Sequence, residues 1–360
     1  MEKSQGLRLE CMAIGSLPQK APDCAIELIK KYFYEIPFWA QLTKKSKKED
    51  MMLQYLEGMP SFSMDENGKV FLESESDEFF EKLETFYMDY EEIVSDVNCE
   101  KLDNYGISED FASTFPKYLD LIKEISPKYA KGQIVGPFTL ATALTDKNGQ
   151  AAIYDETLTE IIVKTLTLKV LWQIKKIKSV NENIMPVIFI DEPSISQLGT
   201  SAFLTVGEQK VQGMISEIVN FIKSNGGICA IHCCGKCDWR LPIRAGVDII
   251  NLDAYSFAKN LSLFDSEIKN FLGNGGKIAW GIVPTLDSKV LDEMNLEDGI
   301  KIFKNSVKYL TEKGINEKLI IDNSIITPSC GAGGLSEELA VKALSLTKEL
   351  SDSLKEQYKD

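Results

Sequence analysis

The second half of the chain alternates short apolar runs with longer amphipathic stretches. Residues 185–190 and 228–231 form apolar runs of strand length, whereas residues 211–222 place isoleucine and valine at the helical spacing of three and four positions. The Asn225-Gly226-Gly227 segment then ends the helical pattern. Because βα units with this alternation build parallel sheets, the pattern predicts an α/β fold.

Eight apolar runs are candidate strands, at residues 9–14, 36–42, 132–135, 185–190, 228–231, 247–252, 277–280 and 319–321. Since a closed (β/α)8 TIM-type barrel needs eight strands, we predict one barrel domain over residues 1–360. Residues 43–131 are too long for a single crossover and contain a hairpin signal at Asn67-Gly68 and two acidic helices. We interpret them as an insertion after the second strand that covers the barrel mouth. The alternative is a doubly wound open sheet with a separate N-terminal subdomain.

Composition narrows the class of protein. The net charge is −14, which argues against nucleic-acid partners because these need clustered basic residues. The sequence contains no run of about 18 apolar residues, the length that would predict a membrane span. Its first residues lack the pattern of a secretory signal. We therefore expect a cytoplasmic protein whose eight cysteines are reduced.

Unusual polar residues come directly after the predicted strands. In chain order they are Ser16, Asp191 with Glu192, His232 with Cys234, Asp253, and Cys330. In a βα barrel the carboxyl ends of all strands meet at one face, where active sites lie. Their repeated position at strand ends predicts a functional site at that face.

A metal site is the first hypothesis for this face. His232 is the only histidine of the chain, and in extended backbone its side chain points the same way as that of Cys234. Zinc favours nitrogen and sulfur ligands and keeps an open position in catalytic sites, whereas thiolates disfavour magnesium and calcium. We predict a zinc ion held by His232, Cys234 and Cys330, with Asp253 as a candidate oxygen ligand. A redox dithiol or half of a zinc knuckle at Cys234-Gly-Lys-Cys237, or ordinary buried residues, are the alternatives.

Four further residues are assigned to a substrate pocket. Asp191 and Glu192 offer carboxylates that can hold a substrate ammonium by a charge-assisted bond, or that neighbouring strands can satisfy. Trp39 and Gln41 lie at the end of the second predicted strand and face the same pocket, with core packing as the alternative for Trp39.

Four segments together resemble the C-terminal catalytic barrel of cobalamin-independent methionine synthase, which belongs to the superfamily of uroporphyrinogen decarboxylase. They are Ile14-Gly15-Ser16-Leu17-Pro18-Gln19, Ile190-Asp191-Glu192-Pro193, His232-x-Cys234 and Pro328-Ser329-Cys330-Gly331. The resemblance implies that His232, Cys234 and Cys330 are zinc ligands and that Asp253 stands where the family has a glutamate ligand. It also implies that Asp191 contacts the substrate amino group, that Ser16 contacts its amino-acid end, and that a methyl group moves to a zinc-activated small thiol.

Three departures from this family bear on the methyl donor and acceptor. The chain spans one barrel, without the second barrel that helps the full-length synthase bind folate. Residues 136–141 lack the tryptophan that the family uses near folate, and residues 37–41 stand where the family has His-Gly-Glu. The first two departures lead us to expect a corrinoid methyl-carrier protein, rather than folate, as donor. The third distinguishes the acceptor pocket from that of the family, so the acceptor is either homocysteine, the leading candidate, or a related thiol. A uroporphyrinogen decarboxylase-like lyase and a non-catalytic zinc- or corrinoid-binding module are the alternatives.

Overall fold

The computed structural model describes residues 6–64 and 70–359 and has an α/β architecture around one curled parallel sheet. In the described ranges the strands are β1 (Phe62–Met64), β2 (Val70–Leu72), β3 (Tyr129–Val135), β4 (Met185–Asp191), β5 (Ile228–Cys233), β6 (Ile249–Leu252), β7 (Lys277–Val283) and β8 (Ser324–Pro328). Strands β3 to β8 are parallel and adjacent in chain order. Strands β1 and β2 form a separate antiparallel pair.

Helices follow the strands of the large sheet, as the alternating pattern predicts. Over the same residues they are α1 (Pro22–Tyr32), α2 (Asp77–Ser95), α3 (Phe115–Ile125), α4 (Pro137–Ala143), α5 (Glu156–Val180), α6 (Glu208–Ser224), α7 (Arg240–Arg244), α8 (Ala254–Phe257), α9 (Asp265–Gly273), α10 (Ser288–Glu293), α11 (Leu296–Thr311), α12 (Glu317–Asp322) and α13 (Glu337–Gln357). Short 3-10 helices lie at Lys47–Glu49, Leu53–Tyr55, Glu100–Tyr105, Ala152–Tyr154, Pro193–Gln197 and Ala258–Leu263. Helix α6 ends where Gly226 takes a φ of +81°, a conformation that suits glycine.

The prediction of a closed eight-stranded barrel is wrong: the parallel sheet has six strands and forms a half-barrel. Residues 9–14 and 36–42 form no regular strands and make isolated bridges, from Cys11 to Ile326, from Phe38 to Lys131 and from Gln41 to Ser16. A continuous ladder needs extended backbone with a free N–H at alternate positions. Leu9 has a φ of +57°, and Pro37 lacks an N–H, so both segments depart from that geometry. The consecutive strand order also differs from that of a doubly wound sheet.

The last predicted strand was placed too early in the chain. Residues 319–321 lie in α12, where Asn316 accepts a hydrogen bond from the backbone N–H of Leu319 at 3.1 Å. The strand is β8, which begins at Ser324. Two adjacent apolar runs compete here, and the cap at Asn316 makes the first one helical.

The predicted insertion contains the β1–β2 pair and helices α2 and α3. The Asn67-Gly68 turn lies outside the described residues. Phe86 and Phe115 from this segment belong to the same hydrophobic cluster as Ile134 of β3. The interpretation of residues 43–131 as an insertion in a single domain stays a prediction.

Alternate residues of the large sheet face two different sides. Ile188, Ile231 and Ile250 join the large cluster beneath the helices. Val187 and Phe189 of β4 and the alternate residues of the next strands form a smaller cluster on the inner face, which Leu7, Met12 and Ile36 complete. Continuing this alternation toward the carboxyl ends puts polar side chains on the inner face: Lys131, Gln133, Asp191, His232, Asn251 and Thr327.

Candidate metal centre

His232, Cys234 and Cys330 come together at the carboxyl end of the sheet and are called the ligand group below. One ligand atom of each lies within 4.8 Å of those of the other two, so the group can hold a metal ion. His232 is 3% exposed on β5, and Cys234 follows two residues later, past the end of the strand. Cys330 enters from the loop after β8, and all three are free of disulfides.

The loop that carries Cys330 is held from both sides. The hydroxyl of Thr285 accepts from the backbone N–H of Cys330 at 3.1 Å and donates to its carbonyl at 3.0 Å. On the other side, the Ser16 oxygen accepts from the backbone N–H of Gly333 at 3.2 Å. A Cβ at Gly331 would lie 2.1 Å from that oxygen, so only glycine fits there. Ser16 therefore lies against the loop of the third ligand.

Asn251 is a site residue that the sequence reasoning missed. It lies on β6 directly beside His232, and its Oδ1 is 2.5 Å from His232 Nδ1. Its Nδ2 donates to the Ala279 carbonyl at 2.9 Å and to the Thr327 hydroxyl at 2.8 Å. A single polar residue in an otherwise apolar strand was the available signal, since such a residue needs buried hydrogen-bond partners.

Without a metal, the ligand group holds a thiolate at Cys234 between a protonated His232 and a protonated Cys330. The adjacent Cys330 thiol and the adjacent His232 ring lower the pKa of Cys234 to about 4. Pairing with Cys234, together with burial, raises the pKa of Cys330 far above its usual range. Burial lowers the pKa of His232, but the neighbouring Cys234 sulfur and the Asp191 carboxylate raise it to about 9. At pH 7 a thiolate therefore lies beside a protonated histidine and a protonated thiol. A divalent cation that binds there would displace the protons of these two groups.

His232 Nε2 and Asp191 Oδ1 are buried and make no hydrogen bond to any of the described residues. Buried polar atoms normally have partners, so each of these atoms fits a group that binds there. Asp191 pairs with His232 across β4 and β5, and burial raises the pKa of its carboxyl against the opposing charges of Lys131 and His232. The structure thus places an unpartnered carboxylate oxygen next to the ligand group.

Glu192 has a different environment from Asp191. Its fully buried carboxylate accepts from the backbone N–H groups of Phe138 at 2.9 Å and Thr139 at 2.6 Å, and from the Thr139 hydroxyl. Burial raises its pKa to about 7. These bonds tie Glu192 to the first turn of α4, so its oxygens are already occupied.

The Trp39 indole nitrogen and the Gln41 amide nitrogen also have hydrogen-bond partners inside the protein. The Trp39 indole is fully buried, contacts Phe115 edge to face, and donates to Gln173 Oε1 at 2.9 Å. Gln41 Nε2 donates to Gln54 Oε1 at 2.9 Å. Core packing accounts for Trp39, while the Gln41 backbone bridges to Ser16 beside the loop of Cys330.

Asp253 lies outside the ligand group as the described residues define it. Its Oδ1 accepts from the backbone N–H of Ser256 at 3.0 Å and so caps the short helix α8. Burial raises the pKa of its carboxyl, and the charge of Cys234 raises it further, so Asp253 lies within electrostatic reach of the group.

The remaining cysteines of the cluster pair differently from the dithiol alternative. Cys237 is the neighbour that lowers the pKa of Cys233 most, whereas Cys330 is the neighbour that lowers the pKa of Cys234 most. Cys233 faces away from the ligand group, and its Sγ lies 3.8 Å from the Gly235 carbonyl oxygen. Cys234 and Cys237 each have a different cysteine as their close neighbour, which does not suit a dithiol made of those two residues.

Among the described residues, no helix has both the length and the apolar composition needed to cross a membrane. No protein-family model matches the sequence, and a search of curated proteins finds none with significant similarity.

Proposed function

We propose that this protein is a zinc-dependent methyltransferase that moves a methyl group to homocysteine or a closely related thiol, with a methylcorrinoid as donor. One observation carries the proposal: the ligand group lies directly beside the unpartnered carboxylate oxygen of Asp191. The first feature suits a metal that binds sulfur, and the second suits an ammonium. A small aminothiol presents both groups on one short carbon chain.

Zinc is the metal that best fits these donors. One imidazole nitrogen and two sulfurs match its preferred ligands, and three protein ligands leave a fourth tetrahedral position open to substrate. Bound there, zinc would hold the substrate sulfur as a thiolate near neutral pH. Asp253, which caps α8, is the remaining candidate for an oxygen ligand in the absence of substrate.

The protein's own residues orient the thiol. Asp191 Oδ1 accepts from the substrate ammonium one strand away from His232. The Ser16 oxygen is an acceptor for the Gly333 N–H, so its hydroxyl hydrogen is available to the substrate carboxylate. The sulfur lone pair forms the new S–C bond as the bond between methyl and donor breaks, and the donor leaves with that electron pair. The thiol proton passes to solvent.

The first turn of α4 supports a donor other than folate. This turn stands where the resembling family has a tryptophan near folate, but here its aromatic residue is Phe138. Phe138 is fully buried and packs against Phe203 with ring centroids 5.4 Å apart. Its ring is therefore committed to the core, and no aromatic side chain of this turn is left for a pterin ring.

The test is metal analysis followed by a methyl-transfer assay. Purified protein is expected to contain zinc and to form methionine from homocysteine and methylcobalamin, with little product from methyltetrahydrofolate. Cys330→Ser is expected to lose both zinc and turnover, whereas the control Cys24→Ser, at an exposed position on α1, keeps both. Full zinc content and turnover in Cys330→Ser would contradict the ligand assignment. Zinc binding without transfer from any donor would favour a non-catalytic module, and porphyrinogen turnover would favour a lyase.

A further inference from the structure

Asn251 makes three hydrogen bonds around the histidine of the ligand group, and each points to one role. We propose that Asn251 is a positioning residue that holds the His232 ring with Nδ1 protonated and Nε2 directed at the metal. The inference rests on the metal centre of the proposed function, but it is independent of methyl transfer. It makes Asn251, with Thr327 behind it, part of what determines metal affinity.

The orientation of the Asn251 amide follows from its surroundings. One partner of its side chain is the backbone carbonyl of Ala279, which can only accept a hydrogen bond. The atom facing that carbonyl must therefore be the amide nitrogen. The second amide hydrogen goes to the Thr327 hydroxyl at 2.8 Å. Both amide hydrogens are thus used, and the remaining atom, Oδ1, can only accept.

The orientation of the His232 ring follows from that of the amide. Because Asn251 Oδ1 is an acceptor 2.5 Å from Nδ1, Nδ1 must carry a hydrogen. Once His232 loses its other proton, the lone pair is therefore on Nε2. That atom is buried without a hydrogen-bond partner among the described residues, on the side of the ligand group. A hydrogen bond from the second ring nitrogen also makes a histidine ligand more basic.

The burial of this chain of groups makes the arrangement rigid. Asn251 and Thr327 are both 0% exposed, and His232 is 3% exposed. Water cannot readily replace a lost partner there, so removing the amide leaves Nδ1–H unsatisfied at a substantial cost. We expect Asn251→Leu to weaken zinc binding by about 10- to 100-fold, the range seen for outer partners of metal ligands. Asn251→Asp keeps an acceptor oxygen facing Nδ1 and is expected to restore most of this loss.

The single histidine of the chain permits a direct test. Protein labelled with 15N-histidine and loaded with zinc gives only one set of ring signals in long-range proton–nitrogen NMR spectra. We expect a protonated Nδ1 and a metal-bound Nε2, and zinc competition with a chromophoric chelator then ranks wild type, Asn251→Asp and Asn251→Leu in falling affinity. Asn323→Ala is the matched control, because Asn323 lies at the opposite end of the sheet, where its amide donates to the Leu319 carbonyl.

The outcomes separate this inference from the proposed function. A metal-bound Nδ1 in the wild type would overturn the inference, and so would unchanged zinc affinity in Asn251→Leu. An Asn251→Asp variant that binds as weakly as Asn251→Leu, or an equal loss in Asn323→Ala, would reduce Asn251 to a merely structural residue and also overturn it. A wild type that binds no zinc at all would instead remove the metal centre on which the proposed function rests.

Discussion

Lys169 lies on α5 and is fully buried, with its ammonium directed at the segment that precedes the parallel sheet. Its Nζ donates to the backbone carbonyls of Glu57 and Gly106, the latter at 2.7 Å. Burial lowers its pKa from 10.5 to about 7, against the opposing charge of Glu57. The protein thus holds this segment with an amine that gives up its proton in the folded state far more easily than in the unfolded chain.

This shift makes stability depend on pH in a defined direction. Between about pH 7 and 10.5 the unfolded chain binds a proton at this lysine that the folded protein does not, so the free energy of unfolding rises with pH. One pKa unit is worth about 1.4 kcal/mol. From pH 7 to pH 9 we expect Lys169 to add about 2 to 3 kcal/mol to stability.

Urea unfolding of the wild type and of Lys169→Met at pH 7, 8 and 9 measures this contribution. Methionine fills the same space without titrating. The unfolding free energy of the wild type minus that of Lys169→Met should therefore rise with pH. Lys176→Met on the same helix is the control, because Lys176 is partly exposed and pairs with Asp103 at 2.7 Å. Its effect should be constant over this range. A value of wild type minus Lys169→Met that is constant, or that falls with rising pH, would contradict a lowered pKa for Lys169 in the folded protein.

Three further predictions concern the metal centre. Asp191→Asn should keep zinc but raise the KM for the thiol by about 10- to 100-fold, because the substrate ammonium loses its bond to a charged carboxylate. An unchanged KM would argue against ammonium binding. Gly331→Ala should lower zinc affinity in chelator competition, because its Cβ would lie 2.1 Å from the Ser16 oxygen, whereas Gly334→Ala, with nothing within 4 Å, should not. Zinc binding at pH 7 should release about two protons in calorimetry with buffers of different ionisation enthalpy, since the metal-free group holds two. Affinity should accordingly rise with pH, and less steeply above about pH 9, where the metal-free His232 has already lost its proton. Binding without proton release would contradict the protonation states.

Local pattern in the sequence was sufficient for the βα alternation and for the position of His232 and Cys234. Apolar runs identify β4 to β7 because buried parallel strands need nearly continuous apolar residues. The spacing of two residues puts both side chains on one face of an extended segment, whatever the rest of the chain does. Local periodicity could not distinguish regular strands from irregular extended segments at residues 9–14 and 36–42, because strand formation depends on hydrogen bonds to distant residues.

The α/β class and the common direction of the His232 and Cys234 side chains follow from neighbouring residues, so the sequence alone predicts them. The tertiary structure decided which distant residues meet: Cys330 approaches Cys234, and Asn251 binds His232. It also distinguished Asp191, whose Oδ1 has no hydrogen-bond partner in the described part of the chain, from Glu192, whose carboxylate accepts hydrogen bonds from the first turn of α4. The sequence alone does not distinguish the environments of two neighbouring acidic residues. Their hydrogen-bond partners come from other strands and helices, and only the folded chain brings those partners together.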